Sequence, residues 1–340
     1  MLVVVSLNTK NWQRTFKDRE FQSFYRILYL TGGERFLAIE ETEYMWMDGE
    51  FVKWEDAKVP ILTHAIHYGT AVFEGIRAYP SKDNLSVFRL KEHISRLSES
   101  CKILPLEHKY SESELEQNIL ELLRKNQLKR PSYIRPLVYV GYGGIGLNFT
   151  GFPVNVSIAA FPFGKYFSNH EIKVCISNWR RISDESMPVQ AKASGNYLNS
   201  VLAKLDALRA GFDDAILLGK NSMVSEGTGE NIFVVKDGEI ATPPITSSIL
   251  VGITRDSVIQ MARDMGMKIK EREISRIELY QADEVFFTGT AAEVTAIVEI
   301  DSRKIGTGKI GKITDKIRQA YADIVAGNNE KYLNWLTEVY

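Results

Sequence analysis

Strand-like and helix-like hydrophobic patterns alternate on both sides of a break at Pro162-Phe-Gly-Lys-Tyr166, which limits the chain to a mixed α/β or α+β architecture in two parts. At 340 residues it is too long for one small core and suits two domains. In the first half, Met45-Trp-Met and Phe51-Val52 flank Asp48-Gly49, the turn signal of a hairpin. A helix is predicted from about Lys91 with Ile94, Leu97 and Cys101 on one stripe and Pro105 beyond its end. Ser111 and Glu114 form a capping box for a second helix with apolar face Leu115, Ile119, Leu122 and Leu123. Strands are expected at 133–140 and 154–161. Beyond the break come a strand at 172–176, a helix through Leu198, Val201, Leu202, Leu205 and Leu208, and strands at 215–218 and 232–235. A helix from about Thr254 to Gly266, strands at 268–273 and 284–288, and a last pair of helices after Gly311 complete the pattern. The division is therefore an extension over 1–43, a first domain over 44–161, a connecting loop at 162–171 and a second domain over 172–340.

Composition narrows the function classes. With 42 basic and 43 acidic side chains, the net charge of -1 offers no field to hold nucleic acid or anionic lipid. The partners expected are small molecules met at a local site. Cys101 and Cys175 lie far apart with no CxxC spacing, which argues against a disulfide framework or a structural zinc and suits a reducing compartment. No stretch has the apolar length to span a bilayer, and Lys10, Arg14 and Lys17 interrupt the apolar start too soon for a signal-peptide core. A cytoplasmic enzyme without a metal is the expectation, and the sequons at Asn148 and Asn155 read as chance.

One motif misleads. Gly141-Tyr-Gly143-Gly-Ile-Gly146 satisfies GxGxxG, but a strand-forming segment follows where a helix should open, and no acidic residue appears before Glu171. The glycines are read instead as places where the backbone turns and approaches a neighbour closely.

Four other segments carry chemistry together. Lys192 lies among small residues in Ala191-Lys-Ala-Ser-Gly-Asn-Tyr197, leaving room for a planar ligand. A lysine amine held neutral condenses with an aldehyde. Glu226, in Ser-Glu-Gly-Thr-Gly-Glu-Asn, is a carboxylate in a glycine-rich turn leading to an apolar strand, where it could keep a pyridine nitrogen protonated. Ser247-Ser-Ile-Leu-Val-Gly252-Ile-Thr254 opens a helix whose N-terminus could cradle a phosphate, and Phe287-Thr-Gly-Thr290 offers further donors. Taken singly, these are also compatible with a surface lysine, a carboxylate capping its own turn and a plain N-cap by Thr254. Jointly they are the parts of a pyridoxal-phosphate site.

From about Met45 onward the chain resembles the branched-chain amino acid aminotransferases, fold type IV of the pyridoxal-phosphate enzymes. The motifs are His64-Ala-Ile-His-Tyr68-Gly-Thr-Ala-Val-Phe73-Glu-Gly-Ile-Arg77, Glu92-His-Ile-Ser-Arg96-Leu, Tyr133-Ile-Arg135-Pro-Leu, the Lys192 and Glu226 segments, and Gly252-Ile-Thr254-Arg-Asp. The resemblance implies a small α/β N-terminal domain and a larger C-terminal pseudo-barrel. It implies that Lys192 carries pyridoxal 5'-phosphate and moves the proton, that Glu226 faces the ring nitrogen and Tyr197 the ring oxygen, and that Arg96, Leu250, Gly252, Ile253, Thr254 and Thr290 hold the phosphate end. Phe73, Phe163 and Tyr166 would line the substrate side, with Tyr68 and Leu147 arriving from a neighbouring subunit of a homodimer or larger assembly. Tyr133 and Arg135 would form its polar side, and Thr290 and Ala291 would receive the α-carboxylate. Phe163 and Phe149 depart from the residues common in bacterial members, and Arg77 receives no role.

The implied reaction passes an amino group from L-leucine, L-isoleucine or L-valine to 2-oxoglutarate. D-Amino acid aminotransferases and aminodeoxychorismate lyases of the same fold are the alternatives, and a non-catalytic cofactor binder is the rival of another class.

Overall fold

The computed structural model describes residues 39–340 apart from Lys165, Ser168 and Asn169, so most of the expected N-terminal extension lies outside the described residues. Residues 39–340 form one compact unit built on two sheets.

The first sheet begins with the expected hairpin of β1 (Tyr44–Met47) and β2 (Glu50–Lys53), closed by Asp48 and Gly49 at φ 50 and 107. Helix α1 (His64–Tyr68) leads into β3 (Ala71–Phe73), β4 (Ile76–Ser81) and β5 (Asn84–Phe88). Helices α2 (Leu90–Ile103) and α3 (Glu112–Lys125) follow, then β6 (Ser132–Val140) and β7 (Val154–Pro162). The Ser111–Glu114 capping box is formed reciprocally, satisfying donors that the first turn leaves free. Leu115, Ile119, Leu122 and Leu123 of α3 meet Ile94 and Leu97 of α2 in one core against Val72, Ile134 and Val138 of the sheet. The glycine run after β6 opens no helix, and a Cβ at Gly143 would lie 2.6 Å from the Phe152 ring, which is the close approach expected there.

The second sheet contains β8 (Glu171–Arg180), β9 (Asp214–Leu218), β10 (Val224–Gly227), β11 (Asn231–Lys236), β12 (Glu239–Thr242), β13 (Lys268–Glu271), β14 (Glu284–Gly289), β15 (Glu293–Ile300) and β16 (Arg303–Lys304). Between them lie α4 (Tyr197–Arg209), α5 (Ile253–Asp264) and α6 (Arg276–Gln281), followed by α7 (Lys312–Val325). Strand order is β10-β9-β8-β15-β14-β11-β12-β13, with β8/β9, β8/β15 and β12/β13 parallel. Phe233 and Phe286 stack across β11 and β14 with centroids 4.9 Å apart, at the centre of a core closed by Val258, Met261 and Ile317.

Three expectations change. Helix α4 forms, but it buries Ser200, Ala203 and Ala207 and turns Leu198, Val201 and Leu205 outward. Small side chains let it lie close on β8 and β9, and that packing overrides the leucine stripe. Of the final pair of helices only α7 is an α-helix. After Gly327 at φ 75 the chain forms a 3-10 segment, Glu330–Trp335, then β17 (Leu336–Glu338), which pairs with β5 and returns the C-terminus to the first sheet. Tyr332 leaves the helical region at φ -116, and burial of Tyr332 and Trp335 anchors the segment in that irregular form. Glu226 stands on β10, one strand earlier than the expected turn; the turn comes at 228–230.

Candidate active site

Lys192 lies in the segment between β8 and α4, and its backbone is gripped from both sides. Its N–H donates to Ser100 Oγ of α2 at 3.0 Å, and its carbonyl accepts from the Phe73 N–H at 3.0 Å. Asn196 donates to the carbonyls of Pro188 and Ala191 at 3.0 and 3.2 Å, folding the segment into a compact turn before α4. The lysine amine thus leaves a fixed base. Its Nζ donates to the Tyr197 hydroxyl at 2.7 Å and lies 5.2 Å from the centre of the Phe73 ring.

That amine opens into a cavity lined by Arg96, Lys192, Tyr197, Glu226, Leu250, Gly252, Ile253, Thr254 and Thr290. Every residue expected to hold the cofactor therefore reaches one space, from elements spread over both sheets. Arg181, Glu230, Asn231 and Thr288 also line it; the last three stand within the Glu226 and Phe287–Thr290 segments without a role of their own, and no motif in the sequence points to Arg181.

The carboxyl of Glu226 is rigidly held. Oε1 pairs with Arg181 Nη2 at 2.8 Å, and Oε2 accepts from Asn231 Nδ2 and from the Leu250 N–H, both at 3.0 Å. Burial pushes its pKa up, while the Arg181 guanidinium and the Leu250 N–H oppose that by favouring the charged form.

Two residues after Leu250, α5 begins at Ile253 with Gly252 as its N-cap and no side chain capping it, so Thr254 is inside the helix and not its cap. Free N–H groups and the helix dipole face the cavity there. A Cβ at Gly252 would collide with Asn231 Oδ1, so only glycine allows this turn beside the carboxamide. Arg96 arrives from α2 and donates to the Val251 carbonyl at 2.7 Å.

Arg96 is itself positioned by Glu74, a fully buried residue that the motifs leave without a role. Glu74 accepts from Arg96 Nε at 2.6 Å and Nη2 at 2.9 Å, and shares a 2.7 Å hydrogen bond with His93 Nδ1. Burial alone would raise the Glu74 pKa, but Arg96 and His93 outweigh it and hold it well below the usual carboxylate range. The signal for Glu74 is present in the sequence as a lone acid between apolar strands, but its partners are nineteen and twenty-two residues away.

Beside Lys192, Phe73 meets Tyr197 at 4.9 Å, and the Arg135 guanidinium lies 4.6 Å from the Phe73 ring centre while donating to the Tyr133 hydroxyl at 3.0 Å. Phe163 packs on Tyr133 at 5.1 Å. Phe73, Arg135, Tyr133 and Phe163 thus form a chain of contacts that starts beside Lys192 and Tyr197. Ala291 is half-buried next to Thr290. Of the residues expected to meet substrate, only Thr290 lines the cavity; Tyr68, Leu147 and Tyr166 are 39%, 83% and 38% exposed.

The site fits a planar anionic cofactor: an amine on a fixed base, a buried carboxyl lining the same cavity, and an uncapped helix terminus with an arginine. The Thr288 hydroxyl, 1% exposed, lines the same cavity and has no protein partner.

Glu230 supplies a pH test. Burial and the neighbouring Asp214 push its carboxyl up to about 8, against 4.5 when exposed. The unfolded chain therefore ionises first as pH rises, and stability falls from about pH 4.5 to about pH 8, by on the order of a few kcal/mol. Glu230→Gln removes that loss. Urea midpoints at about pH 5 and about pH 8.5 should diverge less in the variant than in the wild type, and equal divergence would contradict the assignment.

Comparison with known proteins agrees with this geometry. Residues 71–300 match the family model of amino-transferase class IV. The branched-chain-amino-acid aminotransferase of Escherichia coli strain K12 is 44% identical over 308 residues, covering 89% of this chain and 99% of the relative. Among solved structures, the branched-chain aminotransferase of Thermoproteus uzoniensis with norvaline superposes with a TM-score of 0.86 at 47% identity, covering 88% of this chain and 100% of that one. The branched-chain amino acid aminotransferase of Thermobaculum terrenum in its PLP-bound holo-form superposes with a TM-score of 0.85 at 36% identity, over 88% and 99% of the two chains. With two thirds of its length matched to the family model and the lysine, carboxylate and helix terminus converging on one cavity, this chain belongs to the class IV aminotransferases.

Proposed function

We infer that this protein is a branched-chain amino acid aminotransferase that uses pyridoxal 5'-phosphate. L-Leucine, L-isoleucine or L-valine gives up its amino group and leaves as a 2-oxo acid; 2-oxoglutarate then takes the group and leaves as L-glutamate. One observation carries the conclusion: Lys192 Nζ, 2.7 Å from the Tyr197 hydroxyl, shares its cavity with a buried Glu226 and the uncapped start of α5. The relatives at 44% identity along nearly their whole length support the substrate class.

When bound, the cofactor supplies an aldehyde that takes up the amine and a ring that withdraws electrons. Lys192 attaches it and, once released, carries a proton to and from the substrate α-carbon at Nζ. Tyr197 steadies that amine and faces the ring oxygen. Glu226, kept charged by Arg181, holds the proton on the ring nitrogen. Arg96, Gly252, Ile253, Thr254 and Thr290 bind the phosphate, with Leu250 beside them, because a dianion is best met by a cation together with aligned N–H groups.

Phe73 and Phe163, which adjoin Lys192 and Tyr133, receive the branched side chain, and Arg135 with Tyr133 receives the distal carboxylate of glutamate. The α-carboxylate rests on Thr290 and Ala291. We propose that Tyr68 and Leu147 complete this pocket in a second subunit of a homodimer or larger assembly. Support comes from their exposure together with Ile66 and Ile145, an apolar grouping that water does not favour. We also propose a cytoplasmic location, which suits two free cysteines whose thiols burial pushes up to about 12 and about 11; among the described residues no helix is long and apolar enough to cross a membrane. Two domains meeting at a loop over 162–171 suit the change of sheet between β7 and β8.

Incubation with L-leucine should convert the cofactor's aldehyde absorbance to that of its amine form, and 2-oxoglutarate should restore it. D-Alanine should do neither. Conversion by D-alanine in place of L-leucine would move the protein to the D-amino acid branch of the fold.

A further inference from the structure

Arg77 is buried on β4, with only 5% of its side chain exposed, and neither the motif reading nor the chemistry above uses it. Its Nη1 donates to Glu293 Oε1 at 3.0 Å. Its Nη2 donates to the carbonyls of Phe163 and Gly164 at 3.3 and 3.2 Å. The guanidinium also lies over the Tyr79 and Phe163 rings, 4.9 and 5.3 Å from their centres.

These acceptors belong to two chain segments far apart in sequence. Phe163 and Gly164 follow directly on β7, at the end of the first sheet. Glu293 opens β15 of the second sheet and pairs with Gly289, closing a hairpin whose tip is Thr290-Ala-Ala292. Glu293 is also left-handed, at φ 55, a conformation that a non-glycine residue keeps only where its surroundings hold it. One arginine thus reaches from the first sheet and grips the base of a hairpin in the second.

We propose that Arg77 is a positioning residue that sets the spacing between the Phe163–Gly164 segment and the Thr290–Ala291 tip, and so determines how tightly both substrates are held. This rests on the reading above that Phe163, Thr290 and Ala291 contact substrate. Three acceptors in two directions need the planar fork of a guanidinium, and a lysine ammonium on its single stem cannot meet all of them. Most of the cofactor's anchors, Lys192, Glu226, Arg96 and the start of α5, have separate partners, and Thr290 alone lies on the tethered hairpin, so occupancy depends on the tether far less than substrate binding does.

The test uses the holoenzyme with Arg77→Met, Arg77→Lys, Glu293→Ala and the Arg77→Met/Glu293→Ala double variant. Kinetic constants for L-leucine and 2-oxoglutarate are compared with cofactor absorbance. Arg77→Met should raise KM for both substrates by about tenfold or more, since displacements of about 1 Å at a substrate wall have effects of that size, with cofactor occupancy retained. Arg77→Lys should recover only part of the loss. The double variant should be no worse than Arg77→Met, because both changes cut the same link.

KM values within about twofold of wild type in the single variants, additive losses, or losses confined to melting temperature and cofactor occupancy would each overturn the proposal. If Arg77→Met does not fold, Glu293→Ala decides the matter in the same way, because its side chain is 34% exposed and its removal is milder. Phe163→Ala separates the two levels of inference. A raised KM there with none in Arg77→Met defeats the tether and leaves the substrate wall standing, whereas no change in either defeats both.

Discussion

Lys192→Ala should abolish transamination between L-leucine and 2-oxoglutarate, with turnover falling by on the order of 10⁴-fold or more. Among the described residues the lysine is the one amine that lines the cavity, and it combines attachment with proton transfer. Stability should change by about 1 kcal/mol or less, because the contacts that fix the segment are made by its main chain and by Asn196, which the substitution leaves intact. Folding and catalysis therefore separate cleanly in this variant. Borohydride reduction of the wild type followed by peptide mapping should place the cofactor on Lys192. A reduced adduct on another side chain, or more than about a hundredth of normal turnover in the variant, would refute the assignment.

Glu226→Ala should keep part of its cofactor and turn over about 10²- to 10³-fold more slowly, the cost of losing one preorganised electrostatic partner. Attachment at Lys192 should persist, since the phosphate end is held independently. A second effect follows from Arg181, whose side chain is 7% exposed and whose charge is balanced by Glu226. Stranding that buried cation should cost about 3 kcal/mol or more, read as a lowered urea midpoint. Glu226→Gln preserves shape and a hydrogen-bond acceptor, so it should be the more stable variant while remaining slow. Turnover near wild type in both would remove Glu226 from the mechanism.

Much of this is legible in the sequence, and the reasons differ by residue. The α2 and α3 helices are readable because burial at every third or fourth position and the Ser111–Glu114 box are local codes. Helix α4 misleads because its leucines lie on the face away from the sheet, and nothing local states which face packs. The 3-10 ending at Glu330–Trp335 looks like helix in the sequence because aromatic anchoring by Tyr332 and Trp335 is a long-range effect.

The same contrast divides the site. Lys192, Glu226, Arg96, Thr254 and Thr290 are readable from dense local motifs. Arg181 and the Glu74–His93 support for Arg96 are not, because partners brought together only by folding leave no spacing in the chain.

The amino-acid sequence by itself determined the mixed α/β class, the hairpin and capping signals of the first half, and the set of side chains able to do the chemistry. Those properties depend on turns and on residue type, both written locally. Tertiary structure alone decided that these side chains face one cavity, that Glu226 is paired with Arg181, and that Arg77 ties one sheet to a hairpin of the other. The physical reason is that charge pairing and desolvation depend on distance in space, which the chain sets only once both sheets have packed.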